Sequence, residues 1–342
     1  MKLCLVTNYI NKGYVNELLI FNKLCSTLNL LPCDIYSFEN FNSSYKINKK
    51  YTHALILLDY KVSTLSFYKE YLEELKIPKL FIIDTIPHHH EKLQNKLNPY
   101  HKSSPFTCLP LKQQKSLYED YADGVIFYSN IDKDLFDTYY IFKKPNVPFA
   151  IIPPSLGNIE NIKFKRENLK PNNLIGFNGS PSHSNGFIAL DNLLINPNTY
   201  TLNIYGTHGR EEIVEENIMN YLTNNHKNIN FKGKLKNLKT FYNNHHIYYG
   251  ASIYDSFNYF LFLSTINGMV PILSHKTGTA SYFKHYPFIS DNSSESIKYN
   301  IDLIINSPID YLRNILESTV ENFKELNDES LKNKYYSFIN EF

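Results

Sequence analysis

Arg210 closes the segment Tyr205-Gly-Thr-His-Gly209, where a glycine-bearing loop leads from an apolar run into a charged helical stretch. Such a loop presents backbone N–H groups to an anion, and the helix dipole adds to the attraction. A cation at a helix N-terminus opposes that dipole unless an anion sits there too. Three and four residues on, Ile213 and Val214 offer the guanidinium no carboxylate. Arg210 therefore reads either as a solvated side chain or as a phosphate contact. Lys276 stands in a second context of this kind, Ser274-His-Lys-Thr-Gly-Thr279, again between an apolar run and a helical one. Thr277 and Thr279 flank Gly278, which would let a ligand approach the backbone closely. The alternative is a plain strand-to-helix turn. Asp255-Ser256-Phe257 opens a helical pattern running to Ile266, where Asp or Ser is an ordinary N-cap.

Histidines form a second group. His88, His89 and His90 follow Asp84-Thr-Ile-Pro87. Three consecutive histidines cannot all face one way, and zinc motifs need separated ligands. His245-His246 precedes an apolar run and reads as structural. Asp132-Lys-Asp134 has the D-x-D spacing of an acidic metal-binding motif, but it falls on a helical stretch. No visible motif requires a divalent metal.

These residues are carried by short apolar runs alternating with helical patterns. In the first half the runs are Leu3–Thr7, Asp34–Ser37, Ala54–Leu58, Leu80–Asp84 and Val125–Ser129, with helical spacing over Val15–Leu28 and Val62–Leu75. Ile151-Ile-Pro-Pro-Ser-Leu156 breaks the alternation, because the proline pair forbids helix. A polar linker follows to Asn173. The second half restarts with runs at Leu174–Phe177, Thr201–Tyr205, Ile229–Phe231, Ile247–Tyr249, Val270–Leu273 and Phe288–Ile289. Its helical patterns cover Gly186–Leu194, Glu211–Leu222, Leu238–Asn244, Ser256–Ile266 and Ala280–Lys284, and Ser294 to Phe342 reads as mostly helical. Strands apolar on both faces and separated by helices make parallel sheets covered on both sides. The expectation is an α/β chain of two Rossmann-like, doubly wound domains facing a cleft, with a helical C-terminal tail. Its boundaries are residues 1–155, 156–325 and a final helix, 326–342, packing back on the first domain.

The bulk numbers agree. A chain of 342 residues suits two cores, and 43% hydrophobic with 20% charged residues is a globular composition. A net charge of +2 neither requires nor excludes nucleic acid. The basic groups Lys232-Gly-Lys-Leu-Lys236 and Lys163, Lys165, Arg166 read as solvated surface. Cys4, Cys25, Cys33 and Cys108 show no metal spacing and fit a reducing compartment. No run is long enough to span a bilayer, so a cytoplasmic protein is expected, with peripheral membrane contact left open. Leu3–Thr7 is not followed by G-x-G-x-x-G, which argues against a dinucleotide enzyme.

The second half carries Ile175-Gly-Phe-Asn-Gly179, Tyr205-Gly206, Asn230-Phe-Lys-Gly-Lys234, Ser252-Ile-Tyr-Asp-Ser-Phe257 and Gly268-Met-Val-Pro-Ile272, in that order. The series resembles that of the retaining GT-B glycosyltransferases. A narrower likeness, to phage DNA α-glucosyltransferases, rests on Gly268-Met-Val-Pro271 with Ser274-His-Lys-Thr-Gly278, on Pro87-His-His-His90 and on Ala122-Asp-Gly-Val-Ile-Phe-Tyr-Ser129. The resemblance implies a UDP-sugar as co-substrate, no obligatory cofactor, and transfer of a hexose, glucose above others, to a hydroxyl. Hydroxymethylated pyrimidine in duplex DNA is one acceptor it implies, and a surface or lipid-linked glycan another. It assigns donor binding to Asn178, Gly179, Arg210, Lys232, Gly233, Asp255, Ser256, Phe257, Lys276, Thr277, Gly278 and Thr279, with the site set around Asp255–Phe257 and Gly268–Pro271. Asp84, His88 and His89 would meet the acceptor or the transferred sugar. Lys61, Lys102, Lys143 and Lys144 would touch phosphates of a DNA acceptor.

The family's paired glutamates are absent. Asp255 or Ser256 stands near the first, and Leu263 or Ser264 at the second, which grips the ribose. The Arg and Lys expected after the domain's first strand are replaced by residues such as Phe177 and Asn185. A non-catalytic binding protein that kept the fold is the second reading.

Overall fold

The computed structural model describes residues 2–7, 33–37, 43–58, 65–83, 110–140, 147–165, 167, 169, 171–178, 200–205, 224, 227–252 and 254–342. The chain divides into two compact units, one of residues 1–95, 101–158 and 325–342, the other of residues 96–100 and 159–324. The helical patterns at Val15–Leu28, Gly186–Leu194 and Glu211–Leu222 lie outside the described residues.

The first unit is built on one parallel sheet. Its strands are β1 (Leu3–Thr7), β2 (Cys33–Ser37), β3 (His53–Leu57), β4 (Lys79–Ile83), β5 (Gly124–Phe127) and β6 (Phe149–Ile151), ordered β2-β1-β3-β4-β5-β6. The interior strands are buried almost throughout, as helix-covered parallel strands must be. Four described helices accompany them: α1 (Ser43–Lys50), α2 (Leu65–Glu74), α3 (Leu111–Tyr121) and α4 (Asn130–Tyr139). Periodicity in the sequence marks neither α1 nor α3, nor the bounds of β6. β6 is too short to show a period, and α3 carries few apolar residues. Asp132 does lie on a helix, α4. Its amide donates to Ser129 Oγ (3.2 Å), whose hydroxyl donates back to Asp132 Oδ2 (2.6 Å). This buried cap uses the carboxylate structurally.

The motif Ala122-Asp-Gly-Val has a packing explanation. The Lys79 amide donates to Asp123 Oδ2 (2.7 Å), and the Asp123 amide donates to Lys79 O (3.0 Å), which joins the starts of β4 and β5. A Cβ at Gly124 would stand 2.6 Å from Phe342 Cζ, 2.9 Å from Leu80 Cδ2 and 3.2 Å from Phe338 Cζ. The C-terminal aromatics therefore rest on this strand because the position has no side chain.

The second unit repeats the plan. Its strands are β7 (Leu174–Asn178), β8 (Thr201–Tyr205), β9 (Ile229–Phe231), β10 (Ile247–Gly250), β11 (Val270–Ser274) and β12 (Ile289–Ser290), all parallel and ordered β12-β11-β10-β7-β8-β9. Helices α5 (Leu238–Asn244), α6 (Tyr259–Ile266), α7 (Ser294–Asn306) and α8 (Ile309–Phe323) belong to it, and α9 (Asp328–Ile339) ends the chain in the first unit. α6 is apolar nearly all round and correspondingly buried. Phe262 packs edge-on to Phe323 of α8 at 4.8 Å between centroids and stacks on Phe257 at 4.9 Å. Among the described residues no helix is long and apolar enough to cross a membrane.

Candidate functional site

In a parallel sheet ligands bind beyond the strand C-termini, where the strand order reverses. In the second unit the chain runs outward through β7, β8 and β9, then returns to place β10 on the other side of β7. The reversal therefore lies between the ends of β7 and β10, at Asn178 and Gly250. Segment 251–258 leaves β10 here, and segment 275–279 leaves neighbouring β11.

These two segments are zipped together. Asp255 and Thr277 form an isolated parallel bridge, and the Gly278 amide donates to Asp255 O (2.9 Å). One step on, the Asn258 amide donates to the buried Thr279 Oγ1 (2.8 Å). The fold thus brings Asp255, Thr277, Gly278 and Thr279 into one cluster from two separate stretches of chain. The helix expected from Ser256 begins only at Tyr259. Its N-cap is Asn258, whose Oδ1 accepts from the Leu261 amide. Asp255 instead folds its carboxylate onto the Phe257 amide (3.2 Å). Burial, with the Asp255 charge adding to it, holds the Tyr248 phenol beneath well above its ordinary pKa, so it stays protonated.

Several expectations need correction. The Phe257 ring is 1% exposed and stacked in the core, so it does not face a ligand, and its amide is spent on Asp255 Oδ1. The loop amides are committed within the fold: Lys276 N donates to Ser274 Oγ (3.0 Å), Thr277 N to Ser274 O (3.1 Å), and Gly278 N to Asp255 O. Gly278 is buried, and the helix expected at Ala280–Lys284 is a 3-10 turn over Gly278–Tyr282. Anion binding by this loop therefore falls to side chains, and Lys276 is exposed on it. Ser256 is buried beside the cluster.

Gly268–Pro271 does not line the site. It lies at the opposite, N-terminal end of β11. Gly268 takes φ +86° and terminates α6, a conformation glycine adopts without strain. Val270 N donates to His246 O (2.8 Å), so the next peptide position, Pro271, faces away from β10. β12 joins the ladder only at Leu273, and no donor is missed. The Tyr286 hydroxyl caps the Pro271 carbonyl at 2.7 Å.

Lys232 and Gly233 follow β9, three strands from β10 in the sheet, or about 14 Å at the usual strand spacing. Lys232 is exposed, and Gly233 has φ +67° with nothing within 4 Å of a notional Cβ. Asn178 ends β7, partly buried. Gly179, Arg210, Asp84, His88 and His89 lie outside the described residues, as do Lys61, Lys102, Lys143 and Lys144.

His245 and His246 precede β10, at the far end of the sheet from the site, and both are buried. His245 Nδ1 lies 2.8 Å from Phe241 O and Nε2 lies 3.0 Å from Asn203 Nδ2. A carbonyl only accepts and an amide nitrogen only donates, so His245 is neutral with its proton on Nδ1. Asn203 Oδ1 in turn accepts from Asn230 Nδ2 (3.3 Å).

Sequence reasoning missed a hydrogen-bonded group at the ends of β10, β11 and β12. Asn292 Nδ2 donates to Ser274 Oγ (2.8 Å) and to Ser252 O (3.3 Å), and the Asn292 amide donates to Ser290 Oγ (2.9 Å). The polar run Ser290-Asp-Asn-Ser-Ser294 marks a turn but does not say what it ties.

Two parallel six-stranded doubly wound units with a helical tail match the GT-B fold. Among solved structures the chain is similar to sucrose-phosphate synthase from Thermosynechococcus elongatus (TM-score 0.75, 13% identity, covering 100% of this chain and 99% of that one). It is similar over 100% of both chains to Anabaena Alr3699/HepE in complex with UDP-glucose (TM-score 0.72, 12% identity). The α,α-trehalose 6-phosphate synthase of Burkholderia multivorans follows at TM-score 0.68 and 12% identity, covering 99% of this chain and 98% of that one. No protein-family model and no curated protein sequence matches the chain. At these identities the likeness is one of fold.

Proposed function

We propose that this chain is a glycosyltransferase that moves a hexose from a UDP-sugar to an acceptor hydroxyl, with the donor bound by the second unit. The observation that carries the reading is the cluster of Asp255, Thr277, Gly278 and Thr279 beside the strand reversal, with Lys276 exposed on the same loop. Glycosyl transfer must stabilise the charge that develops on the leaving diphosphate and hold the anomeric carbon against the acceptor. Lys276 supplies a cation for the first task, and Arg210 a second. Asp255, which with Ser256 stands near the position of the first glutamate in the resembled family, meets hydroxyls of the sugar or the ribose. Lys232 and Gly233 receive the nucleobase end. Residues 1–155 act as the acceptor domain, where Asp84, His88 and His89 approach the transferred sugar. The similarity to UDP-glucose-bound HepE supports glucose and UDP as the first donor to try.

The proposal includes retention of the anomeric configuration and hydroxymethylated pyrimidine in duplex DNA as acceptor. The test is UDP release from UDP-glucose with and without hydroxymethylated duplex DNA, with product linkage read by NMR. DNA-stimulated release giving an α-linked product is the expected result. A β-linked product overturns retention, and failure of the DNA to accept sugar moves the acceptor to a glycan. The absence of both binding and turnover with every UDP-sugar overturns the enzyme and leaves a binding protein for another ligand. Leu263 or Ser264 at the second glutamate position favours that second reading.

A further inference from the structure

Two local costs coincide at Asn292. It is one of two non-glycine residues with positive φ among the described residues (φ 71°), and its Oδ1 is buried without a hydrogen-bond partner there. Asparagine tolerates the left-handed region better than most residues, and a buried acceptor is normally paired. Strain and an unpaired group persist where the surroundings over-determine a conformation, and such places point to function.

What the residue touches gives the strain a purpose. Its Nδ2 reaches Ser252 O on the segment leading to Asp255, and Ser274 Oγ on the segment leading to Lys276. Ser274 Oγ also accepts from the Lys276 amide (3.0 Å), and Ser274 O accepts from the Thr277 amide and hydroxyl (3.1 and 2.9 Å). The Asn292 amide is fastened to Ser290 at the end of β12, and His275 Nδ1 lies 3.2 Å from Ser290 O. One residue thus ties the ends of three adjacent strands, its side chain reaching two and its backbone amide the third. It sets the spacing between the Asp255 segment and the Lys276 turn.

We infer that Asn292 is a positioning residue of the donor site: by donating to Ser252 O and Ser274 Oγ it holds Asp255 and Lys276 at the separation a nucleotide-sugar requires. The inference rests on the donor-site reading above. It adds a residue that touches no substrate and acts through two others.

Asn292→Gly removes the amide while suiting the backbone, so the fold should keep its Tm. Calorimetry with UDP should then show Kd raised roughly tenfold. In turnover of UDP-glucose, KM should rise while kcat stays within about twofold, the mark of binding lost equally from ground state and transition state. Asn292→Asp presents oxygen where two donors are needed and should not rescue. Ser274→Ala cuts the tie from its other end and should reproduce the Kd change, which keeps the test open if Asn292→Gly lowers Tm. Equal UDP affinity in wild type, Asn292→Gly and Ser274→Ala overturns the inference and leaves the donor site standing. A wild type that binds neither UDP nor UDP-glucose overturns the donor site itself, and the inference with it.

Discussion

The Gly278 amide donates to the backbone carbonyl of Asp255 at 2.9 Å, and this bond joins two loops that leave adjacent strands. It places an acidic side chain and an exposed lysine on neighbouring segments although 21 residues of sequence position, from 255 to 276, separate them. The consequences can be measured.

Lys276→Ala should weaken UDP binding about tenfold or more, equivalent to roughly 1.4 kcal/mol, and leave Tm unchanged. The side chain is exposed on its loop, and the loop amides keep their partners in the variant. Calorimetry with UDP and a thermal melt check both halves.

Thr279→Val should destabilise the second unit by about 1 kcal/mol and lower donor affinity with it. The buried hydroxyl is the acceptor for the Asn258 amide at 2.8 Å, and valine leaves that N–H unpaired. Thr279→Ser keeps the oxygen and should restore both values. A valine variant as stable as wild type in urea titration would contradict the assignment.

Gly124→Ala should cost about 1–3 kcal/mol, because the new methyl meets Leu80 Cδ2 at 2.9 Å and Phe342 Cζ at 2.6 Å. Phe342 is partly exposed and can give way, whereas Leu80 is fully buried. Adding Phe342→Ala should therefore recover only part of the loss in a denaturant melt.

Acid should unfold the protein earlier than its carboxylates alone require. Burial lowers the His246 pKa from 6.5 to about 4 and also lowers that of His245, where the Phe241 carbonyl works in the opposite direction. Above the unfolded value of about 6.5 neither state takes a proton, and the stability is complete. As pH falls below it the unfolded chain binds protons that the folded chain refuses, so stability declines down to about pH 4. The His246 share is on the order of 3 kcal/mol. Urea midpoints should drop between pH 6.5 and 4.5, and His246→Leu should flatten that slope.

What could be read without coordinates follows from periodicity and from residue chemistry that acts locally. Leu3–Thr7, Thr201–Tyr205, Ile229–Phe231 and Leu238–Asn244 fall in the structure on the same residues as in the sequence, because each strand is a short apolar run on at least one face and the helix carries its own cap. The two doubly wound sheets follow from that alternation. The position of Asp255 and of the Ser274–Thr279 loop after strands was also legible.

Only the tertiary structure decided what those loops do. Gly268-Met-Val-Pro271 was conspicuous in the sequence, yet it terminates α6 and opens β11 at the far end of the sheet. Phe257 belonged to the same motif as Asp255, yet its ring went to the core, since burying an aromatic ring outweighs any preference of its neighbours. The loop glycine that promised a phosphate cradle spends its amide on Asp255. Asn292 gave no signal beyond a polar turn, because hydrogen bonds to Ser252 and Ser274 link residues 40 and 18 apart. A one-dimensional pattern records which way a residue faces within its own element. Which partner it meets depends on strand order, and that is set by the packing of the whole sheet.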